Sequence, residues 1–463
     1  MVSVSINKII IGRQKKTMKI THFLNEIYSD SALYMNYRVT PSYIDGFKNA
    51  GRKAFYTLKK KRPSSDVKVS NFAGAAIDET KYLHGNTSME GAIVSLAEDF
   101  CGSNHVPTMT GIGAFGTRFV QDSAAARYIF IKTNDYMEEL FKKADDQNLV
   151  EQQFEGETIE PIFYVPTIPL LIANGAVGVG VGFKSTILPR SVKNVFTMVR
   201  DKIAKKKISD KLFVPYWKGF TGEVKKLEDN KWQVSGVMEI DSKDPRKVII
   251  TEVPITYDLV HYTNVLKKAK DKGIIDKYLD YSEDDIFKFE VKLNPNYINC
   301  SKDELMKHLG LVDTITEILT CIDENNSIAE PESVKEIFEA YYKIKIKFLK
   351  KRIASEIKRL QDELDYNQEV YKFIMDVNKG NINIKLNKKD VEAKMKELKY
   401  KFTERLIALP IYNLTKDKAA EAKQRVADKE VELEEMKKET PEDFWLKDLD
   451  ALEAKLKKEG RYV

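Results

Sequence analysis

The chain has 463 residues, of which 43% are hydrophobic and 32% are charged, and its formal net charge is +6. A chain of this length is predicted to fold as two to four domains. Its longest apolar runs, such as 162–172, are broken by Pro and Thr and are too short to span a bilayer. No apolar stretch of signal-peptide length follows the first basic residues, and the three cysteines show no CxxC spacing. We therefore expect an intracellular protein without a disulfide framework or a structural zinc site.

Basic residues are concentrated at the N-terminal end of the chain. Residues 1–70 contain 14 Lys and Arg but only 4 Asp and Glu, an excess of 10 that is larger than that of the whole chain. Such a cluster suits a phosphate-binding face, because each neutralised phosphate releases counterions. A solvated surface or a basic arm would have the same composition, so charge alone leaves both interpretations open.

The first two-thirds of the chain mixes helical and strand patterns. From about 20 to 160, short helical runs alternate with glycine-rich turns. From about 160 to 330, β-branched alternating runs such as 232–238 and 247–253 occur, with a turn signal at 229–230. These patterns predict a mixed α+β architecture.

A long helix is predicted to begin near Pro331 and Ser333. Apolar residues then recur every three or four positions from Phe338 to Leu364, with charged residues between them. This periodicity predicts one helix of roughly 331–378.

A second long helical run extends from Thr415 to about Lys438. Thr440 and Pro441 follow it as an N-cap and a first helical residue, which predicts a further helix to the C-terminal end. Two long charged helices flanking 379–412 predict an antiparallel coiled-coil arm with a small module at its tip. A helical hairpin that serves only as a spacer is the alternative.

Tyr128 lies in a distinctive local sequence, DSAAARYIF at 122–130, after a glycine-rich stretch at 113–118. A phenol with an ordinary pKa near 10 is a weak nucleophile at neutral pH, so it needs neighbouring cations or a base. Arg127 is adjacent, and the small residues before it would let a phosphate backbone approach closely. His84 and Arg38 lie upstream, but neither is diagnostic alone, and a lone histidine is more often structural.

Five ordered segments together resemble the breakage-reunion core of type IIA DNA topoisomerases. The resemblance covers roughly 22–450 and is closest to the eukaryotic enzyme and to the medium subunit of T-even-type phage topoisomerases. The segments are 41–53 (PSYIDGFKNAGRK), 81–85 (KYLHG), 113–130 (GAFGTRFVQDSAAARYIF), 167–183 (TIPLLIANGAVGVGVGF) and 405–416 (RLIALPIYNLTK).

The resemblance implies a multidomain α+β fold with family-type subdomains. In order, these are a basic N-terminal extension (1–20), a winged-helix DNA-cleavage domain (21–160), a mixed α/β tower or shoulder domain (161–330), the first helix of a coiled-coil arm (331–378), a small helical C-gate dimerisation module (379–412), the return helix of the arm (413–440) and a C-terminal helix (441–463).

The resemblance also implies a function and a set of site residues. Tyr128 would attack the DNA backbone and form a reversible 5′-phosphotyrosyl double-strand break through which a second duplex passes. Arg127 would stabilise the transition state, and His84 and Arg38 would contact the scissile phosphate or help to activate the phenol. The positions implied for DNA binding are Lys48, Arg52, Lys53, Arg118 and Val179.

Two positions depart from the family pattern. Leu83 replaces the first histidine of the Tyr-His-His-Gly motif, so any proton transfer there must be absent or taken over by another group. Val179 replaces an isoleucine that wedges between base pairs, and this smaller side chain is expected to keep DNA bending but to weaken it.

The chain shows no acidic triad of the TOPRIM type, so the resemblance places Mg²⁺ and ATP on a partner subunit that carries ATPase and TOPRIM domains. No ATPase region is recognised before the core and no DNA-wrapping domain after it. The expectation is a homodimer of this chain within a hetero-oligomer on double-stranded DNA. It would act as an ATP-hydrolysing topoisomerase only with its partner, in the cytoplasm of a phage-infected bacterium and away from membranes.

Three other interpretations account for part of the sequence. A non-catalytic DNA-bridging protein with coiled-coil arms would explain the basic region and the helices, but not the sequence around Tyr128. A tyrosine recombinase is disfavoured, because the five histidines match no recombinase pattern. A nucleotide-binding loop at 178–185 is disfavoured because Phe183 occupies a position that requires glycine. We expect these glycines to allow a close backbone approach to DNA beside Val179.

Overall fold

The computed structural model describes residues 9–11, 14–16, 19–384, 386–410, 412 and 415–463. Most of the expected N-terminal extension, 1–20, therefore lies outside the described residues, as do four positions of the expected tip and return helix. The chain divides into two compact units, Met1–Lys345 with Asp448–Val463, and Ile346–Lys447. No helix among the described residues is long and apolar enough to cross a membrane.

Helices of the first unit are mostly short. A π-helical stretch, Phe23–Tyr28, joins the first two into one helical run, and 3-10 turns occur at Asp210–Phe213 and Pro295–Tyr297. The helices are α1 (Ile20–His22), α2 (Ser29–Val39), α3 (Asn49–Lys61), α4 (Val69–Thr80), α5 (Asn86–Ala97), α6 (Met137–Leu140), α7 (Lys143–Asp146), α8 (Leu170–Asn174), α9 (Val192–Ile203), α10 (Leu259–Asp271) and α11 (Lys302–His308).

Strands of this unit form small sheets in which every neighbouring pair is antiparallel. The strands are β1 (Ile9–Ile11), β2 (Gln14–Lys16), β3 (Val67–Lys68), β4 (Thr110–Ile112), β5 (Phe130–Lys132), β6 (Glu151–Phe154), β7 (Glu157–Pro161), β8 (Ala176–Val179), β9 (Lys184–Ile187), β10 (Glu223–Glu228), β11 (Lys231–Ser235), β12 (Val237–Ile240), β13 (Lys247–Glu252), β14 (Ile275–Asp280), β15 (Phe289–Leu293), β16 (Val312–Thr316), β17 (Ile318–Leu319), β18 (Cys321–Ile322) and β19 (Ile328–Ala329).

Among the described residues, three of these sheets have three strands, in the orders β3-β5-β4, β17-β9-β8 and β10-β11-β16, and one has four, β12-β13-β15-β14. The predicted strand runs are confirmed, with a break at Gly236, where a Cβ atom would lie 2.3 Å from the Glu252 carbonyl oxygen. The turn predicted at 229–230 is confirmed by the β10–β11 hairpin, in which Asn230 has a φ of 55°. The mixed α+β class is confirmed.

The long helices are observed close to their predicted bounds. They are α12 (Val334–Asn378), α15 (Lys416–Lys438) and α16 (Pro441–Lys458), and the shorter α13 (Lys388–Glu397) and α14 (Thr403–Ile407) lie between α12 and α15. The Thr440 hydroxyl accepts a bond from the Asp443 amide at 3.1 Å, and the Asp443 carboxylate accepts one from the Thr440 amide. This reciprocal cap explains why α16 begins at Pro441.

Within the second unit, α12 and α15 pack as an antiparallel pair. Leu360 and Leu364 share a buried cluster with Leu433, and further along α12 Val370 and Phe373 share another with Ala422. Positions further along α12 thus share clusters with positions nearer the N-terminus of α15, so the two helices run antiparallel.

Candidate active site

A 17-residue loop between β4 and β5 presents Tyr128. Gly116 has a φ of 103°, and a Cβ atom there would meet the Gln121 carbonyl oxygen at 2.6 Å, so the loop can turn only at a glycine. Further along, the Ala124 amide bonds the Ala114 carbonyl at 2.9 Å and the Tyr128 amide bonds the Ala125 carbonyl at 2.8 Å. The loop is therefore held by its own backbone.

The end of this loop is also anchored to the start of α4. The Val69 and Ser70 amides donate to the carbonyls of Ile129 and Ala126 at 3.0 and 3.3 Å, and the Ile129 side chain is buried. First-turn helix amides lack intrahelical partners, so they readily take these carbonyls. The backbone on either side of Tyr128 is thus fixed to a helix N-terminus.

The Tyr128 side chain projects into solvent and is 65% exposed. The guanidinium carbon of Arg127 lies 4.7 Å from the centre of its ring. A cation in this position is attracted electrostatically to the face of the ring. The pair combines an accessible phenol with a positive group beside it.

His84 forms a second group with residues of α2. Its imidazole hydrogen-bonds the Tyr34 hydroxyl, and its ring contacts those of Tyr34 and Tyr82 at centroid distances of 5.6 and 5.3 Å. Partial burial and the positive charge of Arg38 lower the pKa of His84 below its usual 6.5. His84 is therefore neutral at physiological pH and can accept a proton.

The two groups remain separate in the described chain. No hydrogen bond, ring contact or electrostatic interaction among the described residues joins Tyr128 or Arg127 to His84 or Arg38. Tyr34, which sequence reasoning missed, is the contact that ties His84 to α2 from 50 positions away. Leu83, in place of the family histidine, is 75% exposed and leaves its position open to solvent.

Val179 lies at the end of β8 and is 70% exposed. A tight turn follows it, in which the Gly180 amide bonds the Phe183 carbonyl at 2.9 Å before β9 begins. For Gly178 and Gly180 the expected reason was wrong, because their close approach is to α2. A Cβ atom on Gly178 would lie 2.2 Å from the Val39 carbonyl oxygen, and one on Gly180 would lie 2.1 Å from the Asn36 amide oxygen.

The expectation that Arg52 contacts DNA is wrong for the folded chain. Its guanidinium is buried and bonds the Asp45 carboxylate at 2.8 and 3.0 Å, and the Asp45 side chain is fully buried. Asp45 also accepts the amides of Phe47 and Tyr164. A buried and paired guanidinium cannot reach a phosphate.

Lys53 and Arg118 were also expected to contact DNA, and this is wrong because both side chains are buried and paired. The Lys53 ammonium is buried and bonds Glu160 and the Thr80 carbonyl, each at 2.9 Å. Arg118 is 2% exposed and donates to the carbonyls of Tyr257 and Pro254. Lys48, by contrast, is exposed just before α3 and stays a candidate for DNA contact.

The metal that the family resemblance implies has no fitting donor set in this part of the molecule. Among the described residues, no group of three or more His, Cys, Asp or Glu side chains could hold a metal ion.

Comparison with known proteins identifies the family. The family model for the A chain of DNA gyrase and topoisomerase IV matches residues 38–450. The chain belongs to this family. Among curated relatives, the mitochondrial DNA topoisomerase 2 of Dictyostelium discoideum is 30% identical over 97% of this chain and 36% of its own length. DNA topoisomerase 2 of Trypanosoma brucei brucei is 28% identical over 95% of this chain and 37% of its own.

A solved structure is similar over nearly the whole chain. It is the DNA-binding, cleavage and re-ligation domain of Plasmodium falciparum topoisomerase II, with a TM-score of 0.82 and 26% identity over 94% of this chain and 64% of that one. The chain thus spans about a third of the length of these curated relatives and 64% of the length of this solved domain. These relatives are eukaryotic, so the similarity supports the topoisomerase family but not the phage type in particular.

Proposed function

We propose that this chain is the DNA-cleaving subunit of an ATP-dependent type II DNA topoisomerase, with Tyr128 as its nucleophile. The observation that carries the proposal is the solvent-exposed phenol of Tyr128 with the Arg127 guanidinium over its ring, on a loop held by its own backbone and by α4. The similar Plasmodium falciparum domain, which is described as binding, cleaving and re-ligating DNA, supports it.

The chemical step is a transesterification. The Tyr128 phenol oxygen loses its proton and attacks a backbone phosphorus, and the bond from phosphorus to the 3′ oxygen breaks. That oxygen takes up a proton and leaves as a free 3′ hydroxyl, while the 5′ phosphate stays on the tyrosine. The reverse attack reseals the strand, and because the number of phosphoester bonds is conserved, resealing needs no further energy source.

The neighbouring residues have distinct proposed roles. Arg127 stabilises the developing phenolate and the charge on the phosphoryl oxygens. Arg38 contacts the scissile phosphate, and neutral His84 accepts a proton or donates a hydrogen bond there. In this scheme Tyr34 orients His84.

DNA contacts outside the reacting groups rest on exposed side chains. We propose that Lys48 neutralises a backbone phosphate and that Val179 wedges between base pairs and bends the duplex. Valine is smaller than the isoleucine expected at this position, so the bend is predicted to be shallower.

The remaining machinery is proposed to lie on partner chains. Mg²⁺ would supply charge neutralisation at the phosphate, and a partner with ATPase and TOPRIM domains would hold both Mg²⁺ and ATP. Two copies of this chain, each cleaving one strand, would meet through a C-gate module at 379–412 carried by the arm helices 331–378 and 413–440. Residues 21–160 and 161–330 would form the winged-helix and tower domains. We propose that this complex acts on DNA in the cytoplasm and that this chain is comparable to the medium subunit of the phage type.

The test is covalent adduct formation with duplex DNA, by the full chain together with the proteins that copurify with it. Complexes are trapped with denaturant and adducts are counted by retention of DNA on protein. Tyr128→Phe should abolish adducts while leaving DNA binding intact. Tyr281→Phe, at another exposed tyrosine, is the matched control and should give wild-type amounts.

Adducts that persist in Tyr128→Phe would show that another residue is the nucleophile. DNA binding without adducts in the wild-type complex would favour the non-catalytic bridging protein instead.

A further inference from the structure

The β8–β9 turn that follows Val179 is held by a single side chain from α2. The Asn36 amide nitrogen donates to the Val181 carbonyl at 3.0 Å, and its amide oxygen accepts the Val181 amide at 2.7 Å. Asn36 is 2% exposed. One side chain therefore satisfies both backbone groups of a residue two positions after the proposed wedge, as a neighbouring strand would.

The fit around this contact leaves little room for the hairpin to move. Cβ atoms on Gly178 and Gly180 would lie 2.2 and 2.1 Å from α2, at the Val39 carbonyl oxygen and the Asn36 amide oxygen, respectively. Real Cβ atoms do not approach so closely, so only glycine permits this packing. From the other side, the Ser185 hydroxyl donates to the Thr320 carbonyl at 2.7 Å.

The same helix also carries groups of the candidate site. Tyr34, Asn36 and Arg38 lie two residues apart on α2; Tyr34 bonds His84, and Arg38 lowers the pKa of His84. The final turns of α2 are therefore a common support for the phosphate-contacting group and for the hairpin that bears Val179.

We propose that Asn36 is a positioning residue that fixes the position and orientation of Val179 relative to Arg38. The duplex is thereby bent close to the phosphate that Arg38 contacts. The inference rests on the proposed function, because it gives Val179 the role of a wedge. Asn36 itself touches neither DNA nor the reacting atoms. It acts through the backbone of Val181.

The first test measures DNA bending. The full chain, with its copurifying partners, is bound to a duplex of about 30 base pairs that carries donor and acceptor dyes at its ends. Asn36→Ala should lower the population of bent complexes roughly tenfold, the change that corresponds to about 1.4 kcal/mol. Hydrogen exchange at the Val181 amide should speed up by a similar factor.

The matched control is Asn134→Ala. Asn134 is also a buried asparagine whose side chain makes two hydrogen bonds, with the Pro107 carbonyl and the Thr110 hydroxyl, and neither bond involves the hairpin. If Asn36 merely stabilised the fold, the two variants would lose bending in parallel with their melting temperatures. We expect bending to be lost only in Asn36→Ala.

A second variant keeps the inference testable if Asn36→Ala folds poorly. Gly180→Ala brings a Cβ atom against the Asn36 amide oxygen and should displace the hairpin and reduce bending. In the Asn36→Ala background this clash is absent, so the double variant should bend DNA no less than Asn36→Ala alone.

The inference would be overturned if the losses of bending in Asn36→Ala and Gly180→Ala added up in the double variant, or if both single variants bent DNA normally. Either result would leave the proposed function standing. A wild-type complex that binds DNA without bending it would overturn the wedge role of Val179 together with the role of Asn36.

Discussion

Replacing Arg52 by methionine distinguishes a structural cation from a DNA-binding one. The change keeps most of the apolar volume but removes the partner of the Asp45 carboxylate, which is fully buried. The carboxylate would keep two donors, the amides of Phe47 and Tyr164 at 2.9 and 3.0 Å, and would lose the two guanidinium bonds. Breaking a buried ion pair on one side costs about 3–5 kcal/mol, and because half of the donors remain, we expect about 3 kcal/mol.

The assay is urea unfolding at pH 7, followed by tryptophan fluorescence, alongside DNA binding at several salt concentrations. Lys48→Met is the matched control, because Lys48 is exposed four residues earlier. It should change the free energy of unfolding by less than about 0.5 kcal/mol, and it should reduce the slope of log affinity against log salt by about 0.9 if it contacts one phosphate. A loss of unfolding free energy below about 1 kcal/mol in Arg52→Met, with a salt slope reduced as in Lys48→Met, would show that Arg52 contacts DNA and is not a buried structural cation.

Further predictions concern protonation and the wedge. Burial lowers the pKa of His105 to about 4. Between about pH 6.5 and pH 4 the unfolded chain therefore binds a proton at this histidine that the folded chain does not. The free energy of unfolding should fall by roughly 3 kcal/mol as the pH is lowered through this range. His105→Gln should lack this part of the pH dependence of unfolding, and an unchanged profile would contradict it. Arg38→Gln should raise the pKa of His84 towards 6.5 in an NMR titration, since it removes a repelling charge, and no shift would exclude that interaction. Val179→Ala should bend a bound duplex less than the wild type does, and Val179→Ile should bend it at least as much as the wild type. Equal energy transfer between the dyes at the duplex ends, in the wild type and both variants, would exclude a wedge at this position.

The parts of the fold that follow from local sequence could be predicted. The periodic spacing of apolar residues located α12 within three residues of its start at Val334, and Thr440 with Pro441 marked the start of α16. The loop around Tyr128 was recognisable because its glycines and small residues are close together in the chain. Local signals of this kind depend on neighbours within one or two turns.

The wrong expectations concern charged side chains whose burial depends on a partner far away in the sequence. Lys53 is neutralised by Glu160, 107 positions away, and Arg118 donates to carbonyls such as that of Pro254, 136 positions away. In the sequence these cations look like a DNA-binding face, because nothing near them marks them as buried. The Asp45–Arg52 pair spans only seven residues, but the turn at Gly46 that folds the carboxylate back onto α3 is visible only in the structure.

The role of Tyr128 is tested most directly by identifying the amino acid that becomes linked to DNA. Denaturant-trapped complexes are digested with nuclease and trypsin, which cleaves after Arg127 and Lys132, and the peptides are analysed by mass spectrometry. If Tyr128 is the nucleophile, the short peptide from Tyr128 to Lys132 carries a nucleotide through its tyrosine oxygen as a 5′ phosphodiester, and a free 3′ hydroxyl remains on the cleaved strand. A nucleotide on any other residue, or a 3′-linked phosphate, would contradict this role of Tyr128.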